Sequence, residues 1–184
     1  MRTFVAIELP LKIKEEVEKA IAPFKKLNLD ISWVKTANLH LTMRFLGEVD
    51  EKRIEDIITA LEKALEEKEG FELDFESFGV FPDFRRPRVV WIGIEKGKEN
   101  LIGLQRIIEQ ELSKLDFPEE KRGFSPHLTI GRVKSPKGIE RLTEQIKSVN
   151  FKTCPIQVGE VVLMKSQLHP QGAIYTPLEK FKLK

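Results

Sequence analysis

The chain predicts an α+β fold: two pseudo-symmetric lobes, each a small, mainly antiparallel sheet backed by helices, with a cleft between them. Three observations carry that expectation. Segments with strand period and segments with helix period alternate along the 184 residues. Each half of the chain holds a helix, strands and one histidine-bearing strand. Those two histidine strands open on nearly the same tetrapeptide, His40–Leu41–Thr42–Met43 and His127–Leu128–Thr129–Ile130. The length fits one bilobal domain over residues 1–184.

Phe4 to Leu9 reads as the opening strand, and Pro10 suits the first position of a helix. From Leu11 to Leu27, Ile13, Val17, Ala20, Ile21 and Phe24 recur at helical spacing. Trp33–Val34 and Leu39 to Leu46 read as strands, the second ended by Gly47. Asp50 has the chemistry of an N-cap for a helix running to about Lys68, with Ile54, Ile57, Ile58, Leu61 and Leu65 as its buried stripe. Gly70 stops it. Phe71 to Phe78 sets Phe71, Leu73 and Phe75 against Glu72, Asp74 and Glu76, the pattern of one half-buried strand. A Pro- and Arg-bearing loop over 82–87 separates it from a more buried strand, Arg88 to Ile94. A helix over 98–115, a strand over 126–133 and a helix over 139–149 follow. Residues 154–158, 160–166 and the stretch around Tyr175 complete the sheet material.

Hydrophobic residues (41%) are sufficient for a core, and charged residues (33%) exceed the usual quarter. Both charge signs are interspersed, so the net charge is only +2. A chain of that balance does not coat nucleic acid, and any anionic ligand needs a local site. The single cysteine, Cys154, excludes an internal disulfide and a cysteine-based zinc cluster. No apolar run reaches membrane-spanning length, and residues 1–10 lack the pattern of a signal peptide. The expectation is a cytoplasmic protein, with a Lys/Glu-rich composition of thermophile type.

Histidine occurs three times, at positions 40, 127 and 169. Threonine fills 8 of 184 positions. Two His-x-Thr pairs among three histidines would therefore arise by chance roughly 0.6% of the time, before the shared Leu is counted. Along a strand, His and Thr share one face while Leu and Met or Ile take the other. With the apolar members in a core, two imidazoles and two hydroxyls remain to face one pocket. Opening a cyclic phosphodiester needs such a set. One group takes a proton from water and another gives one to the departing ribose oxygen. Imidazole, with an ordinary pKa of about 6.5, does either at neutral pH. Thr hydroxyls and backbone amides can hold the charge that grows on the non-bridging oxygens. Neither a metal nor a cofactor is required by this scheme.

The likeness to known proteins widens from these tetrapeptides. Leu39 to Gly47, Pro87 to Gly93, Ser125 to Arg132, and Ser166–Gln167–Leu168 with Gly172 and Tyr175 resemble successive motifs of one family. It is the 2′-5′ RNA ligase family, also called RNA 2′,3′-cyclic phosphodiesterases, among the two-histidine phosphoesterases. The resemblance implies hydrolysis of a 2′,3′-cyclic RNA end to a 2′-phosphate. It also implies ATP-independent joining of RNA halves, tRNA halves among them, through a 2′-5′ bond. His40 is then the proton donor and His127 the acceptor, and a monomer is expected. The resemblance further suggests Arg132 as a phosphate contact and Phe45 as a base-stacking residue.

Those last two assignments conflict with simple alternation. Each lies five residues after its histidine, which puts it on the opposite face unless the strand ends or bulges. Arg44 has the right parity and is a rival phosphate ligand. Arg85, Arg86 and Arg88 form a basic loop, by default solvated surface, with RNA backbone contact as the functional alternative. His169 lacks the Thr and stays outside the site. Gly93 to Glu99 is one residue short of a phosphate-binding loop, and Lys114–Leu115–Asp116–Phe117 lacks the glycine of ATP-dependent ligases. Two other readings stand beside the first. The same chemistry could serve cyclic ADP-ribose phosphate or 2′-5′ oligoadenylate, or the cleft could bind RNA without turnover.

Overall fold

The computed structural model describes residues 1–120, 123–170 and 172–184. The chain opens with β1 (Arg2–Glu8), α1 (Leu11–Lys25), β2 (Ile31–Trp33) and β3 (His40–Glu48). It continues through α2 (Ile54–Leu65), β4 (Phe71–Leu73), β5 (Phe75–Phe81), β6 (Val89–Ile94) and α3 (Lys98–Ser113). Last come β7 (Leu128–Val133), α4 (Ile139–Ser148), β8 (Ile156–Val158), β9 (Glu160–Gln167) and β10 (Ile174–Lys182). The class is α+β, as expected.

The strands form two four-stranded sheets, ordered β10-β9-β1-β3 and β2-β7-β6-β5, and a separate β4–β8 pair. Every pairing is antiparallel. The two halves of the chain repeat one scheme, with β1, β3, β4 and β5 matched by β6, β7, β8 and β9. Yet neither half makes its own sheet. β9, from the second half, pairs with β1, and β5, from the first half, pairs with β6. The first sheet is thus β9 against β1–β3, and the second is β5 against β6–β7, with β10 and β2 added at the edges.

Helices follow the same exchange. Phe24 of α1 meets Phe78 of β5 edge-on, with ring centroids 5.0 Å apart. α3 packs on α2 and reaches β3. Ile13, Val17 and Ile21 of α1 and Leu101, Leu104 and Ile108 of α3 belong to one buried apolar cluster that also takes in both sheets. Helical spacing of apolar residues is what commits these segments to that cluster.

Several elements differ from the sequence expectation, each for a local reason. Pro10 lies outside α1 as its N-cap, with φ −57° and ψ 147°. Asp50 does cap, its carboxylate accepting from the Lys52 amide at 3.0 Å. What it caps is a 3₁₀ turn, Glu51–Arg53, that leads into α2. α2 ends at Leu65, before Gly70. β3 runs past Gly47, which has φ +76°, to Glu48. The expected strand 71–78 divides at Asp74, which is only 2% exposed. Its carboxylate accepts from the Lys96 amide at 2.9 Å and lies 3.3 Å from Lys152 Nζ. With those partners an acid can turn inward, and the chain leaves β4 for the second sheet.

Candidate active site

His40 begins β3 and sits opposite Glu8 of β1. The register then runs Ala6 to Thr42 and Val5 to Arg44, so Met43 is an extra residue, a β-bulge. Beyond it Phe4 pairs with Phe45. Directly paired residues share a face. His40, Thr42 and Phe45 therefore lie together, on the side of Ala6 and Phe4. That side is not the main core, to which Val5, Ile7, Leu41 and Met43 belong.

β7 repeats the device. Trp91 pairs with Thr129 and Val90 with Gly131, leaving Ile130 as the extra residue. Val89 then pairs with Arg132. Thr129 and Arg132 share the face of Trp91, while Leu128, Ile130, Val90 and Ile92 enter the core. In both strands the bulged residue is the fourth of the tetrapeptide, and each is buried, Met43 at 2% and Ile130 at 0% exposure. An apolar side chain held in the core while one residue is skipped brings the position five after the histidine back to the histidine's face.

Arg44 is on the other side. It is 6% exposed and pairs with Val5 of the core face. Its Nε lies 2.8 Å from Glu109 and a terminal nitrogen donates to Glu120 at 3.0 Å. Further bonds go to the carbonyls of Phe45 and Pro118. The parity that made Arg44 a rival phosphate ligand is reversed by the bulge at Met43.

The two imidazoles are held alike. Nδ1 of His40 lies 2.8 Å from the Asn38 carbonyl, and Nδ1 of His127 lies 2.7 Å from the Ser125 carbonyl. A carbonyl only accepts, so each Nδ1 carries a proton, and in the neutral ring Nε2 is the free base. Burial lowers the pKa of both rings. The carbonyl bonds act against burial in both. Lys14 lowers and Glu8 raises the pKa of His40, whereas Arg132 lowers that of His127. Each ring thus has a cation beside it, and His40 alone also has a carboxylate, Glu8.

Aromatic side chains fix the ring planes. Phe4 and Tyr175 lie 4.8 and 5.0 Å from His40 between centroids. Phe81 and Trp91 lie 4.9 and 6.5 Å from His127. Trp91 covers Gly79, where an added Cβ would come within 2.2 Å of the indole. The tip of the β9–β10 hairpin reaches the His40 end of β3, and Asn38 Nδ2 donates to the Ala173 carbonyl at 2.7 Å. Sequence reasoning passed over Phe4, Phe81, Trp91 and Asn38 as site residues. The alternation of Phe4 and Ala6 against Val5 and Ile7 was the available signal.

β3 and β7 approach each other where the sheets meet. Among the described residues, no group of three or more His, Cys, Asp or Glu side chains is placed to hold a metal ion. His169 is exposed in the β9–β10 connection. No helix among the described residues is long and apolar enough to cross a membrane.

Two antiparallel sheets, one with a strand that opens on His40 and one with a strand that His127 immediately precedes, fit the two-histidine phosphoesterases that the motifs resemble. The model of the 2′-5′ RNA ligase superfamily matches residues 4–170, and the chain belongs to that superfamily. The RNA 2′,3′-cyclic phosphodiesterase of Methanothermobacter thermautotrophicus is 36% identical over 184 residues, covering 100% of this chain and 99% of the relative. The protein of that name from Thermotoga maritima is 36% identical, over 97% of this chain and 93% of its own length. The crystal structure of E. coli LigT complexed with 3′-AMP superposes with a TM-score of 0.81 at 26% identity, covering 99% of this chain and 97% of that one.

Proposed function

We propose that this chain hydrolyses 2′,3′-cyclic phosphodiester ends of RNA to 2′-phosphomonoesters, with His40 as proton donor and His127 as proton acceptor. The observation that carries the reading is the paired Nδ1–carbonyl bond, which at the start of β3 and just before β7 reserves each Nε2 for proton transfer. His127 Nε2 takes a proton from water as its oxygen bonds to phosphorus. The bond from phosphorus to O3′ breaks, and His40 Nε2 gives its proton to O3′. The 2′-ester stays intact. Burial and Arg132 favour the neutral, accepting form of His127, while the carboxylate of Glu8 opposes burial and Lys14 at His40, a counter-charge that His127 lacks. Thr42, Thr129 and Arg132 hold the non-bridging oxygens as their charge grows. Phe45, 47% exposed, offers a face to a base.

With a 5′-hydroxyl in place of water, the same groups in the same roles join two RNA ends through a 2′-5′ bond without ATP: the new bond to phosphorus forms as the bond to O3′ breaks. tRNA halves are the substrates and a cytoplasmic monomer is the form this reading extends to.

The test is the product formed from 2′,3′-cyclic AMP in the presence of EDTA, resolved by phosphorus NMR. Wild type should yield the 2′-phosphate, and His40→Ala and His127→Ala should each be slowed by about 10²–10⁴-fold. Formation of the 3′-phosphate, or full activity in either variant, would overturn the assignment.

A further inference from the structure

The β5–β6 hairpin ends in Pro82–Asp83–Phe84–Arg85–Arg86–Pro87–Arg88, and the chemistry above uses none of it. The segment is firmly held. Asp83 Oδ1 accepts from the amides of Arg85 at 2.8 Å and Arg86 at 3.1 Å. The Arg88 amide donates to the Phe81 carbonyl at 2.7 Å. Lys147 Nζ stands 4.8 Å from the centroid of the Phe84 ring.

The only acid of this tip is thereby occupied with backbone amides. Arg85, Arg86 and Arg88 are exposed and make no ion pair among the described residues. Elsewhere on or beside the same sheets some lysines are paired, Lys96, Lys152 and Lys180 each with a carboxylate. In a chain of net charge +2, three unpaired guanidiniums within four residues are a local concentration of charge.

The tip is also continuous with the histidine site. The last ladder row before the turn is Phe81, Val89, Arg132 and Ser32. The ring of Phe81 is 4.9 Å from that of His127. The Arg88 carbonyl accepts from the amide of Val133, the neighbour of Arg132, at 2.9 Å. The basic tip thus follows directly on the ladder row that carries Arg132, at the end of the second sheet nearest His127.

We propose that this tip is a docking track for the sugar–phosphate backbone of the RNA strand whose end reacts, with Arg85, Arg86 and Arg88 engaging phosphates upstream of the cyclic end. The proposal rests on the RNA reading of the histidine site. Guanidinium groups match phosphate oxygens in geometry as well as charge. Backbone contacts set position without reading bases, so the track raises affinity for any strand long enough to reach it. A cyclic mononucleotide carries no upstream phosphate and gains nothing.

The experiment compares Arg85→Ala/Arg86→Ala with wild type on 2′,3′-cyclic AMP and on a short oligoribonucleotide with a cyclic end. Binding of the same RNA bearing a 2′-phosphate is followed by fluorescence anisotropy across a salt series. Lys19→Ala/Lys26→Ala, both exposed on and just after α1, controls for loss of positive charge in general. For the arginine pair, KM and Kd for the RNA should rise about tenfold, and the slope of log K against log salt should fall by about 1.4, two single-strand phosphate contacts. Kinetics on 2′,3′-cyclic AMP should not change. Unaltered RNA binding, an equal loss on both substrates, or an equal effect of the lysine pair would overturn the proposal. Failure of wild type to turn over either substrate would instead sink the hydrolase reading, while the anisotropy series still decides whether the tip binds RNA.

Discussion

Replacing Arg44 by Met separates a buried structural charge from a phosphate ligand. The guanidinium faces Glu109 and Glu120, whose side chains are 11% and 39% exposed. Once it is gone, Glu120 can turn to water, but Glu109 stays enclosed. Breaking a buried pair from one side costs about 3–5 kcal/mol, and with one carboxylate rescued by solvent we take the lower end, about 3 kcal/mol. In a domain of this size each 1 kcal/mol shifts Tm by about 2–4 °C, so the variant should melt about 6–12 °C below wild type. Circular dichroism at pH 7 measures this. Arg44→Met/Glu109→Gln should recover part of the loss, because the enclosed charge is then removed as well. Below the transition, kcat/KM on a cyclic substrate should stay within about tenfold of wild type, since the side chain lies behind the strand and touches no reacting atom. A variant with unchanged Tm and activity reduced about a thousandfold would place Arg44 at the phosphate and refute the bulged register.

Four other outcomes follow from the same geometry. Arg132→Ala removes a charge that lowers the pKa of His127, so the acidic limb of the kcat/KM profile should move to higher pH, with Arg132→Lys restoring it; an unmoved limb would separate Arg132 from His127. Burial lowers both histidine pKa values, so the unfolded chain binds more protons below about pH 6.5, the ordinary histidine value. That share of stability is present above this pH and fades as pH falls below it; His40→Gln/His127→Gln should show a flatter melting temperature on that side, and a parallel decline in both proteins would count against it. Gly79→Ala drives a methyl into the Trp91 ring that packs beside His127, so kcat should fall and stability drop by about 1–3 kcal/mol, as read by activity and chemical denaturation. Phe45→Ala, altering an exposed ring, should raise KM while leaving Tm within a degree or two of wild type, and a large loss of Tm would show the ring to be structural.

Much of this molecule can be read from local pattern. The stripe of α2, the His-x-Thr faces and the order of elements are set by residues a few positions apart, and periodicity reports them. The faces of Phe45, Arg132 and Arg44 are not of that kind. They depend on whether Met43 and Ile130 are counted in the ladder or skipped, and burial in a core assembled from distant segments decides it. Asp74 misled for a related reason: its inward turn depends on the Lys96 amide, 22 residues away, and on Lys152. The rings around the histidines come from β1, β5, β6 and β10, so no single window contains them. Strand exchange between the halves was equally hidden, because identical motifs are compatible with either partner.

That exchange gives the chain the connectivity of a strand-swapped dimer fused through one short peptide, residues 82–88, between β5 and β6. Each half owns a histidine motif, and neither owns a complete wall for it. A cut in this peptide would yield two fragments with open sheet edges that the other fragment completes. Melting of the intact chain should then be all-or-none, because loosening one sheet strips strands from both halves at once. The spacing of the two imidazoles becomes a property of interlaced strands, where a single flexible hinge would have left it adjustable.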